Sequence, residues 1–385
     1  MLHWMTGLKR APVAVSLIGI LGLVPPAAAK DSLLEEAVSF SGQVLYLQTD
    51  VPGLIIGAVR DGETAVFGFG ETAKGNGKVP DGDTLMRVGS ISKVFTGAVL
   101  ASLAADGTVE FTDRLQDRLG WDVEIPVLDG KPIRLIDLAT HTSGLPREVD
   151  VERGPDDDPF STVTKEAYSK ALAEGAQLFP AGTGGLYSNF GFDMLAVALG
   201  SAAGKAYAEL LAERVLEPMG LKDTTLAPGE ADRDRLMQGH NFDGSPLPDV
   251  PNTPVMAGAS GLYTTTNDML KWLEWHLDRF SPDMAEMRIL NHASYVQRDA
   301  LDPTYGFDES GHMDAMGLGW VVMQPEGDRP LLLQKAGGRQ GMFVYHAFAP
   351  TRGVGVFVAI NEFDFAASML MAEVVNDLIA DLAPR

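Results

Sequence analysis

The sequence predicts an α+β fold in which both ends of the chain build one antiparallel sheet and a mainly helical region lies between them. Three observations support this prediction. Two β-rich runs flank the turn pair Asp61-Gly62, four more lie between residues 317 and 360, and apolar residues from Ser90 to about residue 300 follow a helical period. We expect the terminal helices to pack on the sheet, and a ligand to bind in the cleft between the sheet and the inserted helices.

The first 29 residues are predicted to be a secretory signal peptide. Lys9 and Arg10 provide its positive region, an apolar run of 14 residues follows, and PPAAA places the cleavage site after Ala29. The apolar run is short for a membrane span, and no later segment is long and apolar enough to form one. We therefore expect an exported, periplasmic protein. The alternative is an uncleaved N-terminal anchor.

Residues 30–385 are predicted to form one domain, with a sheet part at about 30–88 and 315–385 and a mainly helical part at about 89–314. The predicted helices are 31–47, 90–106, 133–141, 165–175, 190–204, 267–277 and 366–382. The predicted strands are two within 53–71, followed by 318–324, 331–337, 341–349 and 354–360, with a hairpin turn at 350–353. Residues 227–254 are rich in Pro, Asp and Gly and are expected to form a long loop.

Composition excludes several classes of function. The 385 residues contain no cysteine, which rules out disulfides and thiol chemistry. The seven histidines form no H-E-x-x-H motif, so we expect no metal and no cofactor. A formal charge of −22 makes the surface repel nucleic acid and anionic lipid. The acidic stretch 154–160 fits a solvated loop better than a cation site.

The stretch GSISKVFTG, residues 89–97, contains the first candidate catalytic pair. A helix that begins here places Ser90 and Lys93 on the same face, one turn apart. A serine hydroxyl is a poor nucleophile until a base takes its proton, and a lysine whose pKa is lowered by burial can act as that base. By itself the pattern is weak, since a capping serine followed by a surface lysine produces it as well.

Two further motifs strengthen this interpretation. Tyr187-Ser188-Asn189 opens a predicted helix, and Lys335-Ala336-Gly337 ends a predicted strand. The patterns S-x-x-K, Y-x-N and K-x-G each occur once, in this order along the chain. Taken singly, they are equally compatible with a core tyrosine, an N-capping asparagine and an edge-strand lysine. Their joint presence favours a catalytic site.

With these motifs the sequence resembles the serine penicillin-recognising hydrolases of the class C β-lactamase type. GSISKVFTG, LATHTSGLP, YSN, GASGLYTTTNDM, GLGW and KAGGRQGMFVYHAFAP carry the likeness, which runs from about residue 54 to the end. Within that family the chain looks most like the AmpH-type D-alanyl-D-alanine carboxypeptidase/endopeptidases. IRLIDLATHTSGLPRE, EPMGLKDTTLAP and GLGWVVMQPEGDRPLLLQKAGG carry this closer likeness. The resemblance implies a β-lactamase/transpeptidase-like fold.

The resemblance also implies catalytic roles. Ser90 would attack the substrate carbonyl and become acylated, and Lys93 and Tyr187 would share the proton transfers. Lys335 would face Tyr187, lower the cost of a tyrosinate and steer an anionic substrate. Tyr187 would also activate the water that releases the acyl group. We expect His141, in the ATHTSGL stretch, to have a structural role at a turn, because Tyr187 already fills the role of base.

Substrate binding is expected along Ala336, Gly337, Gly338 and Arg339. The family's usual third motif is K-T-G, and its threonine helps to hold a substrate carboxylate; Ala336 lacks that hydroxyl. Arg339 is a possible replacement, and a solvated surface arginine is the alternative. The backbone N–H groups of Ser90 and Gly338 would form the oxyanion hole. Asn189 would bind an amide carbonyl of the substrate.

These roles predict a periplasmic serine DD-peptidase that acts on peptidoglycan peptides through an acyl-enzyme and is acylated by β-lactams. The same residues would serve a class C-type β-lactamase, which differs in the position of one water molecule. Ala336 leaves open a serine esterase of the same fold. A non-catalytic penicillin-binding or peptide-binding protein is the alternative from another class of function. The sequence does not determine the oligomeric state.

Overall fold

An eight-stranded antiparallel sheet organises the computed structural model, which describes residues 31–308 and 311–383. The predicted signal peptide, residues 1–29, lies outside the described residues. The strands are β1 Gly53–Arg60, β2 Glu63–Gly70, β3 Leu85–Arg87, β4 Gly185–Leu186, β5 Tyr263–Thr265, β6 Val296–Gln297, β7 Thr304–Tyr305, β8 Ala315–Met316, β9 Val321–Met323, β10 Leu332–Arg339, β11 Met342–Ala349 and β12 Val354–Ile360. The main sheet has the order β2-β1-β12-β11-β10-β9-β8-β6, so β1 from the start of the chain pairs with β12 from its end.

Helices cover the sheet and fill the region between its two sequence halves. They are α1 Ser32–Thr49, α2 Ser92–Ala105, α3 Leu115–Arg118, α4 Leu135–Ala139, α5 Lys165–Ala173, α6 Asn189–Ala203, α7 Tyr207–Leu211, α8 Ala257–Ser260, α9 Thr266–Leu277, α10 Ala285–His292 and α11 Phe365–Leu382. Short 3-10 turns occur at Gly89–Ile91, Glu230–Arg235, Pro254–Met256 and Arg298–Ala300, and one π-helical turn at Ala212–Leu216. In the described part no single helix is long and apolar enough to cross a membrane, although the bent pair Asn189–Ala203 and Tyr207–Leu216 passes by length and composition.

The β1–β2 hairpin forms where the turn pair predicts it. Asp61 and Gly62 both have positive φ, 51° and 86°, as the two central residues of a type I′ turn require. The flanking residues Arg60 and Glu63 are paired in the ladder. This turn fixes the register, and register decides which side chains of β1 face each side of the sheet.

Side chains alternate between the two faces along each strand, and both faces of the sheet are buried. In β1, Leu54 and Ile56 belong to a core shared with α1 and α11, whereas Ile55 and Val59 point into the core formed with the inserted helices. Gly57 permits α9 to approach closely, since a Cβ there would lie 2.7 Å from the Thr266 side chain. The terminal helices and the inserted region thus clamp the sheet between two layers.

The structure adds several short elements that the pattern of apolar residues does not predict, namely the helices α3, α7, α8 and α10 and the strands β3 to β8. The edge strand β6, only two residues long, comes from the stretch expected to be mainly helical, and two residues are too few to show a period. Helix α10 also lies in this stretch. The region 227–254 is irregular except for the 3-10 turn at Glu230–Arg235 and the start of the turn at Pro254.

Candidate active site

Ser90 lies in a tight turn that the chain makes immediately before α2. Gly89 has φ of 48°, and a Cβ at that position would come within 2.7 Å of the Gly338 carbonyl oxygen on β10. Only glycine accepts both this conformation and this contact. The Gly89–Ile91 turn therefore presses against β10 and leaves the Ser90 side chain half-buried at the strand.

Lys93 is fully buried one turn into the helix, and its ammonium group has three hydrogen-bond partners. Nζ donates to Ser90 Oγ at 3.1 Å, to Asn189 Oδ1 at 2.6 Å and to the Ala259 carbonyl at 2.9 Å. Burial, with the nearby charge of Lys335 as the next cause, holds the pKa of Lys93 well below its usual value. The neutral amine that a general base requires is thereby favoured; in that form it donates to Asn189 and Ala259 and accepts from the Ser90 hydroxyl in the third contact.

Tyr187 lies at the centre of a group of three basic side chains, of which burial favours the neutral form of Lys93 and leaves Lys335 and Arg147 as the positive charges. The ring centroid of Tyr187 is 4.6 Å from Lys335 Nζ, 4.9 Å from Lys93 Nζ and 4.8 Å from Arg147 Cζ. Positive charges at this distance stabilise negative charge that develops on the phenol. The arrangement suits a tyrosine that transfers protons.

His141 supports Tyr187 from behind. It has a positive φ of 58°, and its Nδ1 accepts a hydrogen bond from the Ser188 backbone N–H at 3.0 Å. The imidazole stacks on the Tyr187 ring with a centroid separation of 4.4 Å. Burial, followed by the charge of Lys335, keeps the pKa of His141 well below its usual value, so the ring is neutral. This environment fits the structural role expected from the sequence.

The Y-S-N motif marks the start of α6. Ser188 is the N-cap, whose Oγ accepts from the Gly191 N–H at 2.8 Å and donates to the Pro146 carbonyl at 2.7 Å. This cap places Asn189 at the first helical position, where its Oδ1 contacts Lys93 and its Nδ2 donates to the Glu148 carboxylate. The asparagine thus links the lysine to an acidic side chain at the rim of the site.

Asp193, one turn further along α6, lies behind Lys93. Its Oδ1 accepts from the Ala259 N–H at 2.9 Å, and its Oδ2 accepts from the Tyr168 hydroxyl at 2.8 Å. The carbonyl of the same Ala259 accepts from Lys93, so one peptide residue of α8 connects the two charged groups. Burial raises the pKa of Asp193 to about 7.

Strand β10 forms one wall of a cleft of about 520 Å³ that also contains Ser90, Tyr187 and Lys335; we call it the catalytic cleft. A Cβ at Gly337 would lie 3.0 Å from the Ser90 backbone nitrogen, so glycine is needed for this close approach. Gly338 also lines the cleft. Ala336 borders the cleft too, and its side chain packs against the core under α1 and α11.

Arg339 lies apart from these residues, beside an adjoining cavity of about 600 Å³. Its guanidinium stacks over the Phe160 ring at 4.0 Å and donates to Asn252 Oδ1. Burial, with Arg87 nearby, lowers the pKa of Arg339 to about 10. The structure thus brings together the other expected side chains, and places Arg339 under the loop that contains the acidic stretch.

Three charged residues near the site have no sequence signal that marks them. Arg147 and Glu148 follow the turn after α4, and Asp193 occupies a helical position with apolar neighbours. For Asp193 alone the sequence gives a weak hint. An aspartate inside an apolar helix is expected to be buried, and a buried carboxylate needs a partner. Among the described residues, no group of three or more His, Cys, Asp or Glu side chains is arranged to hold a metal ion.

The fold and this constellation are those of a serine hydrolase of the class C β-lactamase type. The Beta-lactamase family profile matches residues 31–380, and the chain belongs to this family. It is 35% identical over 327 residues to the D-alanyl-D-alanine-carboxypeptidase/endopeptidase AmpH of Escherichia coli K12, a match that covers 84% of this chain and 83% of the relative.

Solved structures agree with this assignment. A beta-lactamase/D-alanine carboxypeptidase from Yersinia pestis, complexed with citrate, superposes with a TM-score of 0.82 at 36% identity, covering 91% of this chain and 98% of that one. A class C beta-lactamase superposes with a TM-score of 0.76 at 18% identity, covering 93% and 99%, and supports the fold alone. The predicted fold class, the family and the likeness to AmpH are confirmed.

Proposed function

We propose that this chain is an exported serine DD-peptidase that cleaves peptidoglycan peptides through a Ser90 acyl-enzyme. One observation carries the proposal: the buried Lys93 amine lies 3.1 Å from Ser90 Oγ, inside a cleft that also contains Tyr187 and Lys335. The relative that is 35% identical is named as a D-alanyl-D-alanine carboxypeptidase/endopeptidase, which gives the substrate class.

Acylation begins with transfer of the Ser90 hydroxyl proton to the neutral amine of Lys93. Ser90 Oγ then attacks the substrate carbonyl, and the negative oxygen of the tetrahedral intermediate lies between the N–H groups of Ser90 and Gly338. Each such donor is worth about 3 kcal/mol in the transition state. The leaving amine takes a proton through Lys93 or Tyr187 as the acyl-enzyme forms.

Deacylation requires a base for water, and Tyr187 is the candidate. Tyr187 passes its proton to the neutral amine of Lys93, and the positive charges of Lys93, Lys335 and Arg147 around the ring then stabilise the phenolate that accepts a proton from the water. His141 stacks on the Tyr187 ring at 4.4 Å and holds its orientation. The resulting hydroxide attacks the ester, and Lys93 returns its proton to Ser90 Oγ as the serine leaves.

Lys335 is the proposed partner of the substrate's terminal carboxylate, with Arg147 at the rim of the same cleft. Arg339, the partner suggested by the sequence, donates to Asn252 and stacks on Phe160 in the neighbouring cavity. Because these contacts hold Arg339 in that cavity, we propose Lys335 and not Arg339 as the partner of the carboxylate.

Export to the periplasm is part of the proposal and rests on the signal-like residues 1–29. Peptidoglycan peptides and β-lactams are the proposed small-molecule ligands. β-Lactams are included because they present a strained amide carbonyl to Ser90 and a carboxylate to Lys335. A β-lactamase would use the same residues, and differs by rapid hydrolysis of its acyl-enzyme.

Two assays on the mature protein test the proposed function. The first measures D-alanine released from a peptide ending in D-Ala-D-Ala, and the second measures hydrolysis of benzylpenicillin. Release of D-alanine that Ser90→Ala abolishes and Ser201→Ala, an exposed serine on α6, leaves unchanged is the expected result. Fast penicillin hydrolysis without D-alanine release would identify a β-lactamase. Absence of both activities would contradict the proposal.

A further inference from the structure

The catalytic cleft continues beyond the charged groups into a strongly apolar end. Four phenylalanines and one methionine line it there; we call this set the phenylalanine patch. Its members are Phe242, Phe343, Phe363, Phe365 and Met369. They come from the long loop, from β11, from the connection after β12 and from α11, so four separate parts of the fold converge on one surface.

The patch is a connected surface and not a set of scattered side chains. Phe242 lies 5.6 Å from Phe363 and 5.4 Å from Phe365, measured between ring centroids. Phe343 lies 5.2 Å and 5.4 Å from the same two rings. Each ring thus contacts two others, which gives a nearly continuous apolar wall.

Three members of the patch are largely exposed to solvent. The exposed fractions are 59% for Phe242, 64% for Phe365 and 67% for Met369. Exposed apolar side chains gathered at one place generally mark a binding surface. A ligand that bound here would remove this apolar surface from water.

The patch touches the catalytic machinery directly. Phe343 pairs with Gly338 across the β10–β11 ladder. A Cβ at Gly338 would lie 2.7 Å from the Phe343 ring, so the ring lies directly beside the residue whose N–H is the proposed oxyanion donor. A molecule whose carbonyl lies at Ser90 therefore reaches the patch without leaving the cleft.

We propose that the phenylalanine patch is an apolar subsite, and that this protein binds amphiphilic carboxylates whose alkyl or aryl group lies on it while the carboxylate contacts Lys335. The ligand class rests on the proposed function, because it takes Lys335 as the carboxylate partner. The commitment is to a small molecule: five side chains are far fewer than the 20–30 residues per side of a stable protein interface. A net charge of −22 also disfavours an anionic lipid surface.

A homologous series of straight-chain carboxylates tests the subsite by equilibrium binding, independently of turnover. The probes are butanoate, hexanoate and octanoate, titrated into the Ser90→Ala protein by calorimetry. Each methylene that leaves water fully strengthens binding roughly fourfold, so affinity is expected to rise about twofold to fourfold per added CH₂. An affinity independent of chain length would overturn the inference.

Truncation of the exposed members locates the effect. In the Ser90→Ala background, Phe365→Ala with Met369→Ala is expected to remove most of the chain-length dependence. Phe280→Ala, a phenylalanine 85% exposed between α9 and α10, is the matched control and should retain it. The exposed positions tolerate alanine, and the single variants Phe365→Ala and Met369→Ala provide a second test if the double variant fails to fold. Equal chain-length dependence in variant and control would contradict the proposal.

Competition links the subsite to the catalytic cleft. In the protein with Ser90 intact, octanoate is expected to slow labelling by benzylpenicillin, and butanoate to slow it less. Octanoate binding that leaves the labelling rate unchanged would place the probe elsewhere and overturn the inference. A dimer in sedimentation that Phe365→Ala dissociates would show that a second copy covers the patch, which also overturns it. Absence of any labelling, with chain-length-dependent binding retained, would count against the proposed function alone.

Discussion

Lys93 and a cluster of three histidines show what burial does to a base with and without a reactive neighbour. His276, His292 and His346 pack around Trp320 and Phe348, with His276 Nδ1 and His292 Nε2 2.7 Å apart. Burial lowers the pKa of Lys93 and of all three histidines. Both regions therefore hold neutral bases at neutral pH.

The two regions differ in what lies beside the base. Lys93 has Ser90 Oγ at 3.1 Å, and the cleft gives a substrate access to that oxygen. The His346 ring stacks on Trp320 at 5.0 Å, and neither of its nitrogens has a hydrogen-bond partner among the described residues. A lowered pKa thus supports catalysis only where a nucleophile and a cleft accompany it. In the histidine cluster it reduces stability in acid.

The largest expected effect is on Lys93 itself. Lys93→Met keeps a buried chain of similar length and removes the base, so the rate of Ser90 acylation by benzylpenicillin should fall by about 1000-fold. Intact mass spectrometry at fixed times measures this rate. Lys170→Met, at an exposed lysine on α5, is the control. A Lys93→Met rate within tenfold of wild type would show that another group takes the serine proton.

The second prediction uses two charge changes of opposite sign around Lys93. The charged groups that act on it are Lys335, Asp193, Glu148 and Arg147. Lys335→Met removes a positive charge, which raises the pKa of Lys93 and moves the acid limb of the acylation rate to higher pH. Asp193→Asn removes the negative charge that Asp193 carries above its own pKa of about 7 and moves the limb to lower pH. The midpoints of the two variants should lie on opposite sides of the wild-type midpoint, with rates there that differ severalfold after each is normalised to its own plateau.

Normalisation matters because Lys335 also acts on Tyr187 and on the substrate, so its loss lowers the plateau as well. The midpoint of the acid limb separates the two effects. A structural defect at Asp193 would lower the melting temperature without moving that midpoint. Asp157→Asn, in the exposed acidic stretch, is the control. Shifts in the same direction, or no shift, would contradict the electrostatic account of Lys93.

The third prediction concerns stability and the histidine cluster. The folded-state pKa is about 4 for His292 and about 3 for His346, below the ordinary value of about 6.5. Unfolded histidines take up protons below pH 6.5 that the folded ones do not, so stability is complete above that pH and is lost as pH falls towards 4. Each histidine contributes at most about 1.4 kcal/mol per pH unit.

Urea unfolding between pH 7.5 and 5 measures this slope. His346→Phe is expected to reduce the slope by up to about 1.4 kcal/mol per pH unit, because it removes a titrating group. His312→Gln, at a histidine whose side chain is 64% exposed, is the control. An unaltered slope in His346→Phe would show that the ring takes up its proton over the same pH range in the folded and unfolded protein, which would contradict the prediction.

The smallest expected effect is at Arg339, whose contacts are Asn252 and Phe160. Arg339→Gln should change KM for a D-Ala-D-Ala peptide less than about threefold, whereas Lys335→Met should raise it at least about tenfold through loss of a charge-assisted hydrogen bond. A larger effect of Arg339→Gln would restore the carboxylate role suggested by its place in the sequence.

The sequence predicts those parts of the site that local spacing specifies. Ser90 and Lys93 meet because they are one helical turn apart, and Asp61-Gly62 determines its own hairpin. The K-A-G strand was recognisable as a strand with a lysine before two glycines. Family resemblance then supplied Tyr187, whose distance from Ser90 in the sequence gives no geometric information.

Long-range packing determines the remaining parts, and no local pattern specifies them. Asp193 is linked to Lys93 through Ala259 of α8. The Ala259 N–H donates to the aspartate, and the Ala259 carbonyl accepts from the lysine. The phenylalanine patch assembles from four segments whose phenylalanines each resemble ordinary core or loop residues. Arg339 follows the glycines of β10 directly in sequence, yet the loop that contains Phe160 and the contact with Asn252 direct its side chain into another cavity.

The pH dependence of Ser90 acylation in the unmodified mature protein tests the central claim most directly. Benzylpenicillin is added from pH 5 to 10, adduct formation is followed by intact mass, and peptide mapping identifies the labelled residue. We predict an adduct on Ser90 whose rate levels off well below the ordinary lysine pKa of about 10.4. A rate that still rises near that pH, or an adduct on another residue, would contradict the account of Lys93 as a base made neutral by burial.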